Sequence, residues 1–373
     1  MNTNNQNPSS ETKQSVPNPK RARACGLPLS GQTGPLNAIT DVPGLSVGMT
    51  TLIEGEGEHA VRTGVTAILP RPAADLLHPC WAGNFSMNGN GELTGCHWIN
   101  EAGWFHGPIL ITNSCSLGMA HHGAARWMIR EFPEQIGEDQ WPLPVVGETF
   151  DGWLNDIAGQ HVREEHVLHA LDSATAGPVA EGNVGGGTGM ICYEFKGGTG
   201  TSSRIVETRA GDFTLGVLVQ ANHGLRPWLS VGGISLGEEM PDNRVFEEEK
   251  GSIIVVLATD APLTPTQLNR IAKRIGIGMG RSGTPSGNGS GDIYLAFSTA
   301  NDPGEMSKTS EFTLRSLADK EMDAVFLATV DCVDEAILNA LCAAETMTGR
   351  RGRVVHAIDT EHLTELFQKR SAL

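Results

Sequence analysis

The sequence predicts one layered α/β or α+β domain, in which strands and helices pack around a shared core. Short apolar runs broken by glycine and proline recur through the first half of the 373 residues, and strand-like and helix-like runs alternate after Ser252. No linker divides the chain after residue 20, and no segment repeats at a fixed period. Mixed elements in an undivided chain of this length are typical of a single layered domain, here residues 21–373.

The first half of the chain contains most of the predicted strands. Residues 1–20 are low in apolar side chains and predict a disordered polar tail. Strands are predicted in AITDVPGLSVGMTTLI, TGVTAILPR and DFTLGVLVQANHG, where β-prone residues are interrupted by turn residues. GPILITNSCSLGMAHHGAARWMIREF predicts a buried strand, a turn and a helix, and residues 155–171 have the apolar spacing of another helix.

The chain after Ser252 predicts alternating strands and helices. Thr264 is suited to cap a helix that starts at Pro265, and the apolar residues beyond it repeat at three-to-four spacing over about four turns. DIYLAFST and MDAVFLATV are predicted strands, VDEAILNALCAAETM a helix, and RVVHAI the last strand. The charged loop PDNRVFEEEK is the expected point of discontinuity, because exposed loops of this kind are suited to cleavage.

Charge and cysteine content limit the classes of partner and compartment. A formal net charge of −16 argues against nucleic acid, whose phosphates require clustered Lys and Arg. The acidity favours cationic ligands such as peptide amino termini, although solubility alone explains it equally well. Seven cysteines without a CxxC pair favour a reducing compartment. Without the apolar core of a secretory signal or a membrane-spanning apolar run, we expect a cytoplasmic protein.

Two further patterns raise the question of a cofactor or metal. EGNVGGGTGM, residues 181–190, lacks the glycine register of a dinucleotide-binding turn, so close backbone approach to a substrate or nucleophile is the better explanation. His166 and His169 stand three apart on a predicted helix, which leaves a zinc site open. No HExxH motif or cysteine pair accompanies them, and helix histidines more often lie at the surface or in caps. We therefore predict neither a cofactor nor a metal site.

The pair Gly251-Ser252 stands between a charged loop and a strongly apolar run, in EEEKGSIIVVLATDAP. Serine suits the start of any strand, so the pair alone is weak evidence of function. The functional alternative is cleavage between the two residues, which makes Ser252 a new N-terminus. A serine hydroxyl needs an adjacent base, and a free α-amino group with a pKa of about 7.7–8.0 supplies one on the same residue. Glycine at 251 permits the strained backbone that attack on its carbonyl requires.

Two other stretches place polar side chains beside apolar runs. RSGTPSGNGSGD, residues 281–292, is either a flexible loop or a tight loop that presents Ser290 and Asp292 to a pocket. A P-loop is excluded because a strand follows instead of a helix, and no GxxxxGK[ST] motif occurs. Glu148 follows an apolar run in VVGETFDGW, where it is either a solvated turn residue or an anchor for a substrate ammonium.

Together these stretches resemble the L-aminopeptidase/D-amino-acid esterase and β-peptidyl aminopeptidase family of self-processing N-terminal-nucleophile hydrolases. The resemblance spans nearly the whole chain from about residue 21, in GPLNAITDVPGLSVG, RTGVTAILPR, NGNGELTG, PVVGETFDG, EGNVGGGTGM, VQANHG, KGSIIVVLATDAPL and SGNGSGD. It implies a four-layer α/β/β/α sandwich, split autoproteolytically into a large fragment of residues 1–251 and a small fragment of residues 252–373. It also implies that the processed units assemble as a homo-oligomer, expected to be a tetramer.

The resemblance implies a role for each matching residue. Ser252 matches the nucleophile, whose liberated amine serves as base, and Gly251 matches the end of the large fragment. Ser290 matches a serine that assists proton transfer, and Asp292 matches an acidic position that orients this network. Asn222 matches the asparagine whose side-chain amide contributes to the oxyanion hole.

Two further positions concern the substrate. Glu148 matches the carboxylate that holds the substrate's free amine. Phe150 is a departure, because some relatives carry tyrosine there and phenylalanine cannot donate a hydrogen bond. The implied activity is removal of N-terminal residues from short peptides, amides or esters through an acyl-enzyme, without a metal or organic cofactor.

Two alternatives to that activity remain open. One is an acyltransferase of the ornithine acetyltransferase type, which also cleaves itself but uses a threonine nucleophile, so the serine here argues against it. The other is an unprocessed small-molecule binding protein on the same scaffold.

Overall fold

The computed structural model describes residues 21–137, 140–304, 308 and 310–371, so the tail predicted at residues 1–20 lies outside the described residues. The strands are β1 Ser46–Glu54, β2 Val61–Leu69, β3 Cys80–Gly89, β4 Trp104–Phe105, β5 Ile109–Asn113, β6 Val145–Thr149, β7 Ile191–Cys192, β8 Phe195–Lys196, β9 Gly198–Thr208, β10 Gly211–Asn222, β11 Ser252–Thr259, β12 Gly291–Ser298, β13 Met347–Thr348 and β14 Val354–Val355. The helices are α1 Cys96–Ala102, α2 Leu117–Glu131, α3 Glu164–Asp172, α4 Leu236–Glu239, α5 Pro265–Arg281, α6 Met322–Ala343 and α7 Thr360–Ser371.

Two sheets form the centre of the fold. The first has four strands in the order β1-β2-β5-β6, and the second has six in the order β4-β3-β12-β11-β10-β9. Most neighbouring strands are antiparallel, but β5 runs parallel to β6 and β11 runs parallel to β12. The predicted mixed α/β class is therefore confirmed.

Helices cover each sheet on one face, and the other faces of the two sheets pack together. Helices α2 and α3 contact the four-stranded sheet, and α5 and α6 contact the six-stranded sheet. Between the sheets lies an apolar cluster that includes Ile68 and Ile111 from one and Ile254 and Leu295 from the other. Burial of apolar side chains on both faces of each sheet is what holds these elements together.

Strand β11 lies inside the six-stranded sheet and is buried on both faces. Ile253 and Val255 pack in the cluster beneath α5 and α6, whereas Ile254 and Val256 pack between the two sheets. The side chains of a strand alternate between faces, so a strand buried on both sides has a continuous apolar sequence. By the same alternation, Ser252 lies on the face turned toward the four-stranded sheet.

Several elements agree with the sequence prediction. The strand, turn and helix predicted in GPILITNSCSLGMAHHGAARWMIREF are β5 and α2. Helix α5 begins at Pro265, and the Thr264 hydroxyl accepts a hydrogen bond from the Gln267 N–H at 3.3 Å. Separately from these elements, no helix in the part of the chain that the structure describes combines the length and the apolar character of a membrane span.

The prediction is wrong for MDAVFLATV, which is the first part of the continuous helix α6 and not a strand. Most residues of α6 are buried, because it packs on β9, β10 and α5. An element that is buried on several sides has apolar residues at the helical spacing and also at the strand spacing. Periodicity therefore does not distinguish a strand from a helix in such an element. The helix predicted over residues 155–171 begins only at Glu164, and the short strand β14 is followed by an unpredicted helix, α7.

Candidate active site

Ser252 is the first residue of β11 and is buried, with 4 % of its surface exposed. It pairs with Asn222, the last residue of β10, and with Gly291, the first residue of β12. Three neighbouring strands therefore begin or end at the same edge of the six-stranded sheet, the edge that the strand ends form. Because paired residues project to the same face, the side chains of Ser252 and Asn222 both face the four-stranded sheet.

A cleft of about 540 Å³ opens at this edge, between the two sheets. Ser252 and the preceding Gly251 line it from the six-stranded sheet, and Glu148 and Phe150 line it from the side of β6. Phe150 is 46 % exposed, so its ring is free to contact a bound molecule. The cleft has the size of a small-molecule site, and it brings four of the predicted site residues together.

Gly251 is packed tightly against the end of β10. A Cβ built on Gly251 would lie 2.0 Å from the carbonyl oxygen of Asn222 and 2.7 Å from Cα of His223. Its φ is outside the left-handed region, and the strained backbone expected during attack on its carbonyl stays a prediction. Glycine is required here because another residue would not fit beside β10.

The side-chain amide of Asn222 is fixed by two backbone groups. Its Oδ1 accepts a hydrogen bond from the Ile191 N–H at 2.8 Å, and its Nδ2 donates to the Phe150 carbonyl at 3.0 Å. An amide nitrogen has two hydrogens, so one remains for another acceptor. A small cavity of about 30 Å³, lined in part by Asn222, Phe150 and Gly251, adjoins it. The amide is thus a preoriented donor beside the Gly251-Ser252 bond.

Ser290 and Asp292 form a buried hydrogen-bonded pair. Ser290 Oγ donates to Oδ1 of Asp292 at 2.6 Å, and the Ser286 hydroxyl donates to Oδ2. Burial raises the pKa of Asp292, and the bonds from Ser286 and Ser290 oppose that rise. Asp292 pairs with Ile253 and not with Ser252, so its side chain belongs to the face that α5 covers. Asp292 therefore binds Ser290 from the face of the sheet that α5 covers, which is opposite to the face of Ser252.

Glu148 lies within β6 with 7 % of its surface exposed, so it is not the solvated turn residue that the sequence left open. Its Oε1 accepts a hydrogen bond from the Glu92 N–H at 3.0 Å, and its Oε2 accepts one from the Ser114 hydroxyl. Burial raises the pKa of Glu148, and these two bonds oppose the rise. A carboxylate held in this way keeps lone pairs for a cation in the cleft.

The glycine-rich stretch at residues 181–190 serves packing between strands. A Cβ on Gly186 would lie 2.1 Å from Oε1 of Gln220, and a Cβ on Gly187 would lie 2.2 Å from the Thr199 nitrogen. Approach to a substrate or to the nucleophile stays a prediction, and the close backbone approach found in the structure is to β9 and β10. The physical reason is that this segment threads between neighbouring strands, where a side chain has no room.

The two histidines considered for zinc have local partners instead. His166 Nδ1 accepts a hydrogen bond from the Arg163 N–H at 3.0 Å, at the start of α3. His169 Nδ1 lies 3.0 Å from the Thr50 hydroxyl. Across residues 21–137, 140–304 and 310–371, no group of three or more His, Cys, Asp or Glu side chains is arranged to hold a metal ion.

Several side chains that support the site were not predicted from the sequence. Ser114 binds Glu148, and Ser286 binds Asp292. Ser286 lies within the loop at residues 281–292, and Ser114 directly follows a buried strand. The sequence around each of these serines therefore weakly indicates a place near the site. Glu249 accepts a hydrogen bond from the Gly224 N–H at 2.7 Å, but in the sequence it is one of three consecutive glutamates. Nothing local distinguishes it from its neighbours.

Hydrolases that act through a hydroxyl nucleophile combine such a hydroxyl with fixed hydrogen-bond donors and a cleft, and this edge of the sheet has groups of each kind. Peptidase family S58 matches residues 37–355, and the chain belongs to that family. It is accordingly a hydrolase that acts on peptide bonds, as predicted. The catalytic roles of the individual residues stay predictions.

Named relatives agree with this membership. The chain is 44% identical to the β-peptidyl aminopeptidase BapA of Sphingosinicella microcystinivorans over 94% of this chain and 92% of that protein. The L-aminopeptidase D-Ala-esterase/amidase of Ochrobactrum anthropi, described as a variant of the Ntn hydrolase fold, is 50% identical with a TM-score of 0.90, over 94% of this chain and 99% of that one. A β-aminopeptidase of Burkholderia sp. is 44% identical with a TM-score of 0.87, over the same two shares. The predicted family resemblance is confirmed.

Proposed function

We propose that this protein is a self-cleaving serine aminopeptidase and amidase, which removes N-terminal residues from short peptides, amides or esters through an acyl-enzyme on Ser252. The observation that carries the proposal is the register at the strand tips. Ser252 stands there between Asn222 and Gly291, at the edge of a cleft that also contains Glu148. A hydroxyl and a carboxylate then line the same cleft, and the amide donor lines the small cavity that adjoins it.

Maturation begins when Ser252 Oγ attacks the carbonyl carbon of Gly251. The C–N bond between the two residues breaks, the Ser252 nitrogen takes up the proton lost by Oγ, and an ester joins Gly251 to the side chain. Water then adds to the ester, which releases the Gly251 carboxylate and restores the hydroxyl. The products are residues 1–251 and 252–373, and the second begins with the free amine of Ser252.

In turnover the new α-amine of Ser252 takes the proton from Oγ as the hydroxyl attacks the substrate carbonyl. Ser290, held by Asp292, relays protons between the amine and the leaving group. The free N–H of the Asn222 amide stabilises the oxyanion, and a donor of this kind contributes about two to three powers of ten in turnover. The ring of Phe150 has no hydrogen-bond donor, so Asn222 and backbone amides stabilise the oxyanion without it.

The substrate carries a protonated amine at the end that enters the cleft. Support comes from Glu148, which is buried, bonded on both oxygens and directed by β6 toward the cleft. Relatives named β-peptidyl aminopeptidase and L-aminopeptidase act on molecules with such an amine. No metal or organic cofactor takes part in the proposed steps, since protein groups supply the nucleophile, base and donor.

The remaining predictions are part of the same proposal. Helices on one sheet, two facing sheets and helices on the other support the four-layer α/β/β/α sandwich in one domain of residues 21–373. We further propose a cytoplasmic protein in which two-fragment units assemble as a homo-oligomer, expected to be a tetramer. Size-exclusion chromatography with light scattering would measure the size of that assembly.

The decisive experiment compares the intact mass of the purified protein with that of a Ser252→Ala variant. The wild type is expected to give two fragments, the smaller beginning at Ser252, and the variant one uncut chain. Incubation of the cut protein with a chromogenic amino-acid amide then tests turnover. A wild-type chain that stays whole after long incubation would contradict the mechanism.

A further inference from the structure

We propose that Glu249 is a positioning residue for self-cleavage, which clamps the chain on the N-terminal side of the Gly251-Ser252 bond between two loops. The inference rests on the proposed function. It assigns a role to a side chain that the turnover mechanism does not use.

The two sides of the scissile bond are held in different ways. Ser252 is fixed by strand pairing, because β11 lies between β10 and β12. Residues 241–250 precede it, and within them the structure has no helix or strand, so strand pairing does not hold this side. For Oγ to reach the Gly251 carbonyl, the carbonyl must be held as firmly as the hydroxyl, since reaction within a chain depends on the geometry of both atoms.

Glu249 supplies this second anchor by touching two loops. Its Oε1 accepts a hydrogen bond from the Gly224 N–H at 2.7 Å, just beyond the end of β10. Its Oε2 lies against Gly287, where a Cβ built on that glycine would come within 1.7 Å. Its backbone carbonyl lies beside Gly289, at 3.1 Å from the position of a Cβ. The segment before the bond is therefore wedged between the loop after β10 and the loop before β12.

The adjacent acids provide a matched comparison. Glu247 and Glu248 are exposed, whereas Glu249 is half-buried and its carboxylate reaches the Gly224 N–H. All three have the same charge and lie in the same segment, so a general effect of acidity applies to all of them. A clamp predicts that only Glu249 matters for the cut.

The test follows the appearance of the two fragments after synthesis in a cell-free translation mixture, which shows the uncut chain at early times. Glu249→Ala is expected to slow the cut about 10- to 100-fold, since a small misplacement of reacting atoms has effects of this size. Glu248→Ala is expected to cut at the wild-type rate. Glu249→Gln is expected to cut faster than Glu249→Ala, because the amide oxygen still accepts from the Gly224 N–H.

A second perturbation reaches the clamp from the other loop. In Gly287→Ala, the new methyl group occupies the position of Oε2 and displaces the flexible end of Glu249. This variant is also expected to cut slowly, and the double variant Gly287→Ala/Glu249→Ala no more slowly than Glu249→Ala alone. Non-additivity of this kind identifies a shared interaction. Fully additive effects would overturn the clamp.

A merely structural role is separated by measuring thermal unfolding in the uncleavable Ser252→Ala background. The clamp predicts an unchanged melting temperature when Glu249→Ala is added, and a large drop would assign the slow cut to general destabilisation and overturn the inference. A wild type that cuts while Glu249→Ala cuts equally fast would also overturn it, with the proposed function intact. A wild type that never cuts would remove the proposed function itself, and the clamp with it.

Discussion

Replacement of Gly251 by alanine tests whether the packing around the scissile bond governs self-cleavage. A Cβ at this position would lie 2.0 Å from the Asn222 carbonyl oxygen, whereas real Cβ contacts below 3.0 Å essentially do not occur. The obstructing atom is backbone at the end of β10, so it does not move aside as a side chain would. The chain at residue 251 must shift by about 1 Å to accept the methyl group.

A shift of this size moves the carbonyl carbon that Ser252 attacks. Misplacement of reacting atoms by about 1 Å has an effect on the order of 10²-fold on rate. We therefore expect Gly251→Ala to slow the cut about a hundredfold. The geometry of Ser252 itself should change little, because strand pairing fixes β11 on both sides.

The assay is the mass of the products over time after cell-free synthesis. Gly280→Ala is the control, because a Cβ on that helical glycine meets nothing within 4 Å. It is expected to cut as fast as the wild type. If Gly251→Ala also cut at the wild-type rate, steric fit at residue 251 would not control maturation and the reasoning would be refuted.

Three further predictions concern binding, turnover and stability. Glu148→Gln is expected to raise KM for substrates with a free amine about 10- to 100-fold in steady-state kinetics, because a charge-assisted bond is lost. Because burial raises the pKa of Glu148, its carboxylate is protonated at higher pH than an ordinary glutamate, so KM should rise as the pH falls. Asn222→Ala, measured on cut protein, is expected to lower kcat by about two to three powers of ten. Glu335→Ala is expected to lower the free energy of unfolding in urea by about 3–5 kcal/mol, since it leaves the buried Arg204, now 2.7 Å from its carboxylate, without its partner.

Each of these has a control and an outcome that would contradict it. An N-acetylated substrate should be insensitive to Glu148→Gln, and equal effects on both substrates would argue against an amine anchor. Asn222→Asp keeps the acceptor for the Ile191 N–H but removes the N–H donor. Recovery of kcat in that variant would show that the amide does not act as the donor. The free energy of unfolding of Glu335→Ala is measured in the Ser252→Ala background and compared with that of Glu345→Ala, which changes an exposed side chain. Equal losses of this free energy would show that the buried ion pair has no special importance.

The sequence predicted strands best where a mostly apolar run is bounded by turn residues, as in β10, β11 and β12. It was least successful at α6, because helix and strand periodicity become indistinguishable when an element is buried on several sides. It also placed the start of α3 too early, since Ile157 and Val162 continue the apolar spacing outside the helix. Tertiary contacts decided these elements.

The site divides in the same way between local and long-range information. Gly251-Ser252 before an apolar run, and Ser290 and Asp292 in a glycine-rich loop, are visible in the sequence because each is a local pattern. Their motifs were enough to predict the family and the class of reaction. Glycine at 251 was expected because attack on its carbonyl strains the backbone, and the structure adds a second requirement, since a Cβ has no space beside β10.

What the sequence by itself determined is therefore the reaction class, the bond expected to be cut and the strands that flank it. Only the tertiary structure decided that Glu148 is buried against Ser114 and Glu92, that Asp292 stands behind the sheet, and that Glu249 joins two loops. These contacts join residues far apart in the chain. Strand pairing and burial bring them together. A contact between residues far apart in the chain leaves no periodic pattern in the sequence around either residue.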